Sequence, residues 1–320
     1  NTGFKKLDLS WGAPTKTGGW MISAALTDQK NGITEYSDFN KKALSVKRNF
    51  KVNEKLKGYQ NLQYINYYTQ MTGSLDSIKF FQKNFGSQQS FTFRKIDALR
   101  FRQNLDYNWN AHSNTTFNFM YRNNTMDQNP TYSIASTKNP TQFKGQVNSN
   151  HFDAYVLDLQ HVWSIPVLSS KIMLGGYWDI TNQNLIAHYI DIVKDTSIGK
   201  YTKYTYPSRD SLITNYNTQI SNKAIYLNYI ANLNKAIRLN MTMRYDNFEY
   251  LFNNLLPLGT PSAKNNFTQF TPKLGLTYNL RNWGSYINYS KGFVPPQITE
   301  IYNAIRVPYL LAQDFSNMEI

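Results

Sequence analysis

An alternation of period two, sustained far longer than a globular strand needs, is the strongest constraint this chain carries. Leu99, Phe101, Leu105, Tyr107 and Trp109 share one parity, and Arg100, Arg102, Asn104, Asp106 and Asn108 share the other. The same arrangement sets Ile237, Leu239, Met241, Met243 and Tyr245 against Arg238, Asn240, Thr242, Arg244 and Asp246. Ile225, Leu227, Tyr229, Ala231 and Leu233 form a third apolar stripe, and Leu274, Leu276, Tyr278 and Leu280 a fourth. Successive side chains of a strand point to opposite faces, so each segment reads as a strand with one apolar and one polar face. Ordinary strands peak at about five or six residues, whereas a tilted strand crossing a bilayer needs about nine to eleven.

The connections carry a second rhythm. Short turns fall near Gly12–Gly19, Val52–Lys55, Asn110–Thr115, Pro166–Ser170, Asn232–Ala236 and Arg281–Gly284. Between them lie long polar stretches near 28–41, 72–97, 124–150, 182–216, 247–270 and 293–315. An up-and-down meander with tight turns at one end and long loops at the other gives this alternation, and transmembrane barrels are built that way. About twelve strands are expected. A β-propeller or decorated sandwich is the soluble alternative, but no repeat of fixed sequence marks blades. Short helical turns are expected at 74–83 and 297–306, the second because Ile298, Ile301, Tyr302 and Ile305 are spaced helically after Pro295-Pro296. Gly175-Gly176 reads as a bulge or a close approach.

Composition agrees with a surface that meets both lipid and water. Hydrophobic residues make up only 41%, yet aromatic residues reach 15%, with 24 Tyr. The formal charge of +14 would ordinarily raise nucleic-acid binding, but the basic residues are dispersed and no nucleic-acid motif is present, so none is expected as a partner. There is no cysteine, and no apolar run approaches the roughly 18 residues of a transmembrane helix. The histidines His112, His151, His161 and His188 show no metal spacing. His161 is expected to face the pore or the interface. Neither a phosphate loop nor a nucleophile elbow occurs, so no catalysis and no cofactor are expected.

Near the C-terminal end the residues resemble a known family. Thr271-Pro272-Lys273-Leu274-Gly275-Leu276-Thr277-Tyr278 is similar to a recurring strand of TonB-dependent receptors. Tyr286–Ser290, then Lys291-Gly292-Phe293 and Pro295-Pro296, resembles the strand and loop entry that follow it. Ile298–Tyr302 fits the next motif, Leu239–Asp246 the upstream strand ending in Arg-Tyr-Asp, and Phe315–Ile320 the start of a later strand. One departure is Leu310–Asp314, which replaces the family's usual Asn-Pro-x-Leu-Lys-Pro-Glu. The match in motifs covers about 80 residues.

The resemblance implies an all-β, antiparallel, up-and-down transmembrane barrel of 22 strands around an N-terminal plug. About twelve of those strands would lie in residues 1–320, appearing as an open curved sheet, with the plug and the terminal strands absent. Strand pattern starts almost at Asn1 and stops inside a strand at Met318-Glu319-Ile320, so the chain is expected to be cut at both ends. The implied location is the outer membrane of a Gram-negative bacterium, in contact with its lipid. The implied activity is energy-coupled import of a scarce nutrient complex, through a plug that the inner-membrane TonB complex pulls. A ferric siderophore or similar metal chelate is the expected ligand. A glycan, peptide or cobalamin importer, a non-transporting adhesin barrel and a soluble carbohydrate-binding module stay open.

Two sets of residues are candidates for the site. Arg100, Arg102, Arg238 and Arg244 oppose the apolar stripes and so face the interior, since a charge facing lipid at mid-bilayer would cost about 2–4 kcal/mol. They either pair with Asp106, Asp246 or plug acids, or offer donors to an anionic ligand. Tyr132, Tyr201, Tyr204 and Tyr206 lie in long-loop segments whose aromatic and hydroxyl groups suit ligand contacts.

Overall fold

A computed structural model describes residues 3–130, 134–206, 211–257 and 259–302. Twelve antiparallel strands follow one another in a single sheet, each paired to its neighbour in sequence. They are β1 (Lys5–Thr15), β2 (Gly18–Gln29), β3 (Phe39–Lys51), β4 (Leu56–Gln70), β5 (Phe93–Asn110), β6 (Ser113–Asn129), β8 (Gln142–Ile165), β9 (Ser170–Asp195), β11 (Leu212–Asn232), β12 (Ile237–Asn254), β13 (Ala263–Asn279) and β14 (Gly284–Ser290). Two short strands stand off this path: β7 (Ala135–Ser136) pairs with β8, and β10 (Lys200–Thr205) with β9. β1 and β14 are not paired to each other among the described residues, so the sheet is open as expected.

Asparagine chemistry closes several of the short turns. Asn53 Oδ1 accepts from the N–H groups of Lys55 and Leu56 at 2.9 and 2.8 Å. Asn234 does the same for Ala236 and Ile237, both at 2.8 Å. Asn110 caps the turn before β6 through the His112 N–H at 2.8 Å. A side-chain carbonyl that satisfies turn N–H groups lets the chain reverse in a few residues, which sets the register of the strands on either side.

The register carries the apolar stripes side by side across the sheet. Leu9, Ala24, Leu44, Tyr64 and Leu99 are direct cross-strand partners in β1 to β5, and Ile225, Tyr245 and Phe270 continue the face in β11 to β13. These residues are not buried by protein: Leu9 is 57% exposed, Ile225 56% and Phe270 48%. So wide an apolar surface is untenable in water and is what lipid would cover. Trp20, Trp109, Trp163 and Trp283 all lie within a few residues of a short turn, forming an interfacial girdle at that end. His161 joins it on the lipid-side face, its Nδ1 2.7 Å from Thr115 Oγ1 and its ring 4.2 Å from Trp163. Of the two positions expected for His161, the interface is the one observed. No helix among the described residues is long and apolar enough to cross a membrane, which says nothing of strands.

At the other end the strands run well past the apolar belt, and this shortens the expected loops. The β6–β8 connection reduces to 130–141, β12–β13 to 255–262, and much of 182–216 is strand. In β12 the reason is visible. Apolar residues occupy the odd parity through Met241, Met243 and Tyr245, then the even parity at Phe248, Tyr250 and Phe252, with register unbroken on both sides. Below the boundary lipid wets the outer face; above it water does, so apolar groups move to the inner face. Alternation therefore fails as a signal while the hydrogen-bond ladder continues. The helical turns appear at Ser77–Phe81 (α1) and Ile298–Ile301 (α2), inside the expected segments. Asp76 caps the first through the Lys79 N–H at 2.8 Å, and Gln297 with Glu300 forms a capping box on the second.

Candidate functional site

The inner, polar face carries a continuous network that crosses six strands, β5 to β12. On β12, Arg244 grips Asp246 two residues on with two parallel bonds of 2.8 and 2.7 Å. Asn222 of β11 donates to the same carboxylate at 3.3 Å. The Arg244 guanidinium lies over the rings of Tyr177 and Tyr226, 5.2 and 5.8 Å from their centroids. Tyr226 donates to Asp158 at 2.7 Å, Asn118 donates to its other oxygen at 3.1 Å, and Asn104 donates to Asn118 at 2.9 Å. Asp179 accepts from Tyr177 and Thr181 at 3.2 and 3.0 Å and meets Arg122 at 3.5 Å. The wall is thus a hydrogen-bonded plate, with each acid held by two or three donors.

Gly175 makes room for part of it. A Cβ there would collide with the Tyr226 ring, so the glycine is a close approach. The register of β9 with both neighbours runs through it without a bulge. Gly176, one residue on, faces the lipid side with nothing within 4 Å of where a Cβ would stand.

The four candidate arginines therefore separate. Arg244 is a wall-pairing residue, bound to Asp246. Arg100 and Arg102 are exposed on the inner face and have no carboxylate partner among the described residues. Arg100 stands directly opposite Arg122, which places two guanidinium-bearing positions side by side. Arg238 is exposed just after the turn before β12, at the short-turn end and away from the network. Asp106 accepts from Thr116 at 2.7 Å and serves none of these arginines.

The tyrosine candidates also separate. Tyr132 lies outside the described residues. Tyr201 and Tyr204 belong to β10, a strand folded against β9. Tyr201 packs edge-on to Phe143 at 5.0 Å, with the Lys194 ammonium over both rings at 5.4 and 5.6 Å. Tyr204 meets Phe91 at 5.1 Å and Tyr206 at 6.2 Å. Tyr206 is 52% exposed, and burial of part of its ring raises its hydroxyl pKa, as it does for Tyr201. Tyr36, in the β2–β3 loop with φ of 57°, is pushed up to about 12 by burial, with Tyr68 and Tyr204 adding to it.

These loops close on one another. The β9–β10 hairpin donates the Tyr201 N–H to Gln88 at 2.8 Å, and Lys200 forms an ion pair with Glu35. Lys200, followed by the Ser87 N–H at 3.1 Å, holds the Glu35 carboxyl below its usual pKa. β3 and β9 are five strand spacings apart, about 24 Å in a flat sheet at ~4.8 Å each. Contact between their loops means that the sheet curves.

The helical turn at this end was expected, but its packing against the inner face was not. Tyr216, Tyr250 and Phe252 on the inner face form a buried cluster with Ile298 and Tyr302, which lie beyond β14. Tyr302 stacks on Phe252 at 4.1 Å and 12°, and donates to Asn265 at 2.6 Å. Phe293 packs on Phe248 at 5.9 Å. The segment after β14 therefore folds back into the concave side. The parity switch at Phe248, Tyr250 and Phe252 is the sequence signal for this cluster.

An open curved meander with a lipid-facing apolar belt, a polar inner plate and loops gathered at one end is the wall of an outer-membrane-type β-barrel. The family model described as "TonB dependent receptor-like, beta-barrel" matches residues 20–317. The chain belongs to that family. Solved structures agree on the fold. The ferric citrate transporter FecA in its unliganded form superposes with a TM-score of 0.73 at 15% identity, over 95% of this chain and 43% of that one. The ferric-catecholate import receptor Fiu of E. coli K12 in its closed form gives 0.70 at 11% identity, over 90% and 48%. The ferripyoverdine receptor of the Pseudomonas aeruginosa outer membrane, bound to ferripyoverdine, gives 0.72 at 12%, over 92% and 41%. This chain thus spans less than half the length of those receptors. No curated protein sequence matches it.

Proposed function

We propose that this barrel wall serves an outer-membrane, TonB-dependent importer, and that its cargo is an anionic metal chelate of the ferric-siderophore kind. One observation supports the charge of the ligand above the others: Arg100 and Arg102 stand on the inner face without a carboxylate partner among the described residues, beside a network in which Arg122 and Arg244 are paired. Guanidinium groups left free in a polar cavity are well suited to bidentate capture of carboxylate or catecholate oxygen. The aromatic cluster around Tyr201, Tyr204 and Tyr206 adds flat surfaces for the organic part of such a chelate. Coupling to the inner-membrane TonB complex belongs to this proposal, as do the outer-membrane location and lipid contacts.

Binding of a panel of ferric chelates, cobalamin and oligosaccharides to the receptor in detergent tests the reading. Arg100→Gln with Arg102→Gln should weaken an anionic chelate by about 3–6 kcal/mol in total, taking ~1.5–3 for each charge-assisted hydrogen bond removed. A neutral ligand should be unaffected. Tight binding of a neutral glycan or cobalamin, with no chelate bound and expression indifferent to iron, would overturn the cargo assignment.

A further inference from the structure

The lipid-facing side of the wall holds a feature that capture of a ligand from the inner side does not use. Where β8, β9, β11 and β12 lie together, Gly176 leaves a groove of about 510 Å³ between the strands. Its walls are Leu157, Leu159, Trp178, Ile225 and Tyr245. All have the parity of the apolar belt, and Leu159 and Ile225 are Gly176's own cross-strand partners. Lys223 and Asn247, directly opposite each other in register, close the groove on the side of the long loops.

Lys223 is the feature that asks for an occupant. It has the outward parity of Ile225 and Leu227, its ammonium lies 5.9 Å from the Trp178 ring, and no carboxylate pairs with it among the described residues. A lysine at the margin of an apolar belt snorkels its charge toward the headgroup layer and favours an anion there. The cation and the Asn247 amide, opposite it in register, supply donors at one end of an apolar groove. We propose that this groove is a binding site for a phosphate-bearing lipid of the leaflet on the long-loop side. One acyl chain would lie against Gly176, and the phosphate would meet Lys223 and Asn247. The site rests on the reading of this face as membrane-embedded.

Native mass spectrometry of the receptor extracted from its membrane, followed by titration with lipid A, phosphatidylglycerol and phosphatidylcholine in detergent, tests this. Lipid A, the phosphorylated glycolipid, should be retained and should bind more tightly than phosphatidylcholine. Lys223→Gln should weaken it by about fivefold, the value of one cation near a charged headgroup, and Lys223→Arg should restore it. Gly176→Leu should fill the groove and remove binding, with heat-modifiable gel mobility confirming a folded barrel. Equal affinity for phosphatidylcholine, stronger retention of phosphatidylglycerol than lipid A, or indifference to both substitutions would overturn the proposal. A receptor that does not partition into detergent at all would instead refute the membrane reading beneath it.

Discussion

Replacing Gly175 by alanine puts a methyl group into the ring of Tyr226, 2.5 Å from Cε2 and closer still to the hydroxyl end. The strands on both sides hold β9 in register, so the ring must swing away rather than the backbone. That movement lengthens the 2.7 Å bond from Tyr226 to Asp158 and withdraws one of the two rings under Arg244. Overpacking costs about 1–3 kcal/mol, and a broken hydrogen bond to a carboxylate about 1.5–3 kcal/mol. Because Asn118 still donates to Asp158 at 3.1 Å, the lower part of each range applies, about 3 kcal/mol together. In a Tyr226→Ala background the obstacle is gone, and Gly175→Ala should then cost nothing or stabilise by ~0.5 kcal/mol, since alanine has the lower backbone entropy. Urea titration of the receptor folded into vesicles would measure the four corners of this cycle. A Gly175→Ala cost that is the same within ~0.5 kcal/mol in both backgrounds would refute the idea that the glycine exists for the ring.

Other consequences follow from the same geometry. Leu227→Arg should reduce folding into vesicles by about 2–4 kcal/mol, whereas Asn228→Arg, one residue on and facing inward, should cost far less; equal effects would mean that the two faces have been misassigned. Acid should open the loop contact between Glu35 and Lys200. The folded-state pKa of Glu35 lies below its usual 4.5, so the ion pair contributes fully above that value and its contribution disappears as pH falls through the lower one. Spin-label distances between the β2–β3 loop and the β9–β10 hairpin should lengthen in that range, and the Glu35→Gln variant should show the longer distance at every pH.

How much could be read from the residues differs by element. Leu99–Trp109 and Ile237–Tyr245 announced membrane strands because two solvents act on their two faces, and a side chain's parity records which solvent it meets. The turns at Val52–Lys55 and Asn232–Ala236 were legible because asparagine closes them locally. Extensions such as 247–254 were not, because above the belt both faces are partly wetted and the apolar side changes hand while the ladder runs on. Tyr201 and Tyr204 were placed in a loop for the same reason, and they form a strand.

The candidate arginines show the other limit. Parity alone put Arg100, Arg102, Arg238 and Arg244 on one face, and all four belong to it. Parity does not say which acid lies within reach. Asp246 is two residues from Arg244 and visible in the chain, but the partner of Arg122 is Asp179, 57 residues away and two strands across. The pairing of charges, the ring over Gly175 and the return of Tyr302 onto Phe252 all depend on register between distant strands. Strand pattern, turns and the lipid-facing stripe are local and were determined by the chain itself. Which wall cations are left without a carboxylate partner among the described residues is decided by strand neighbours, and only the folded sheet brings those together.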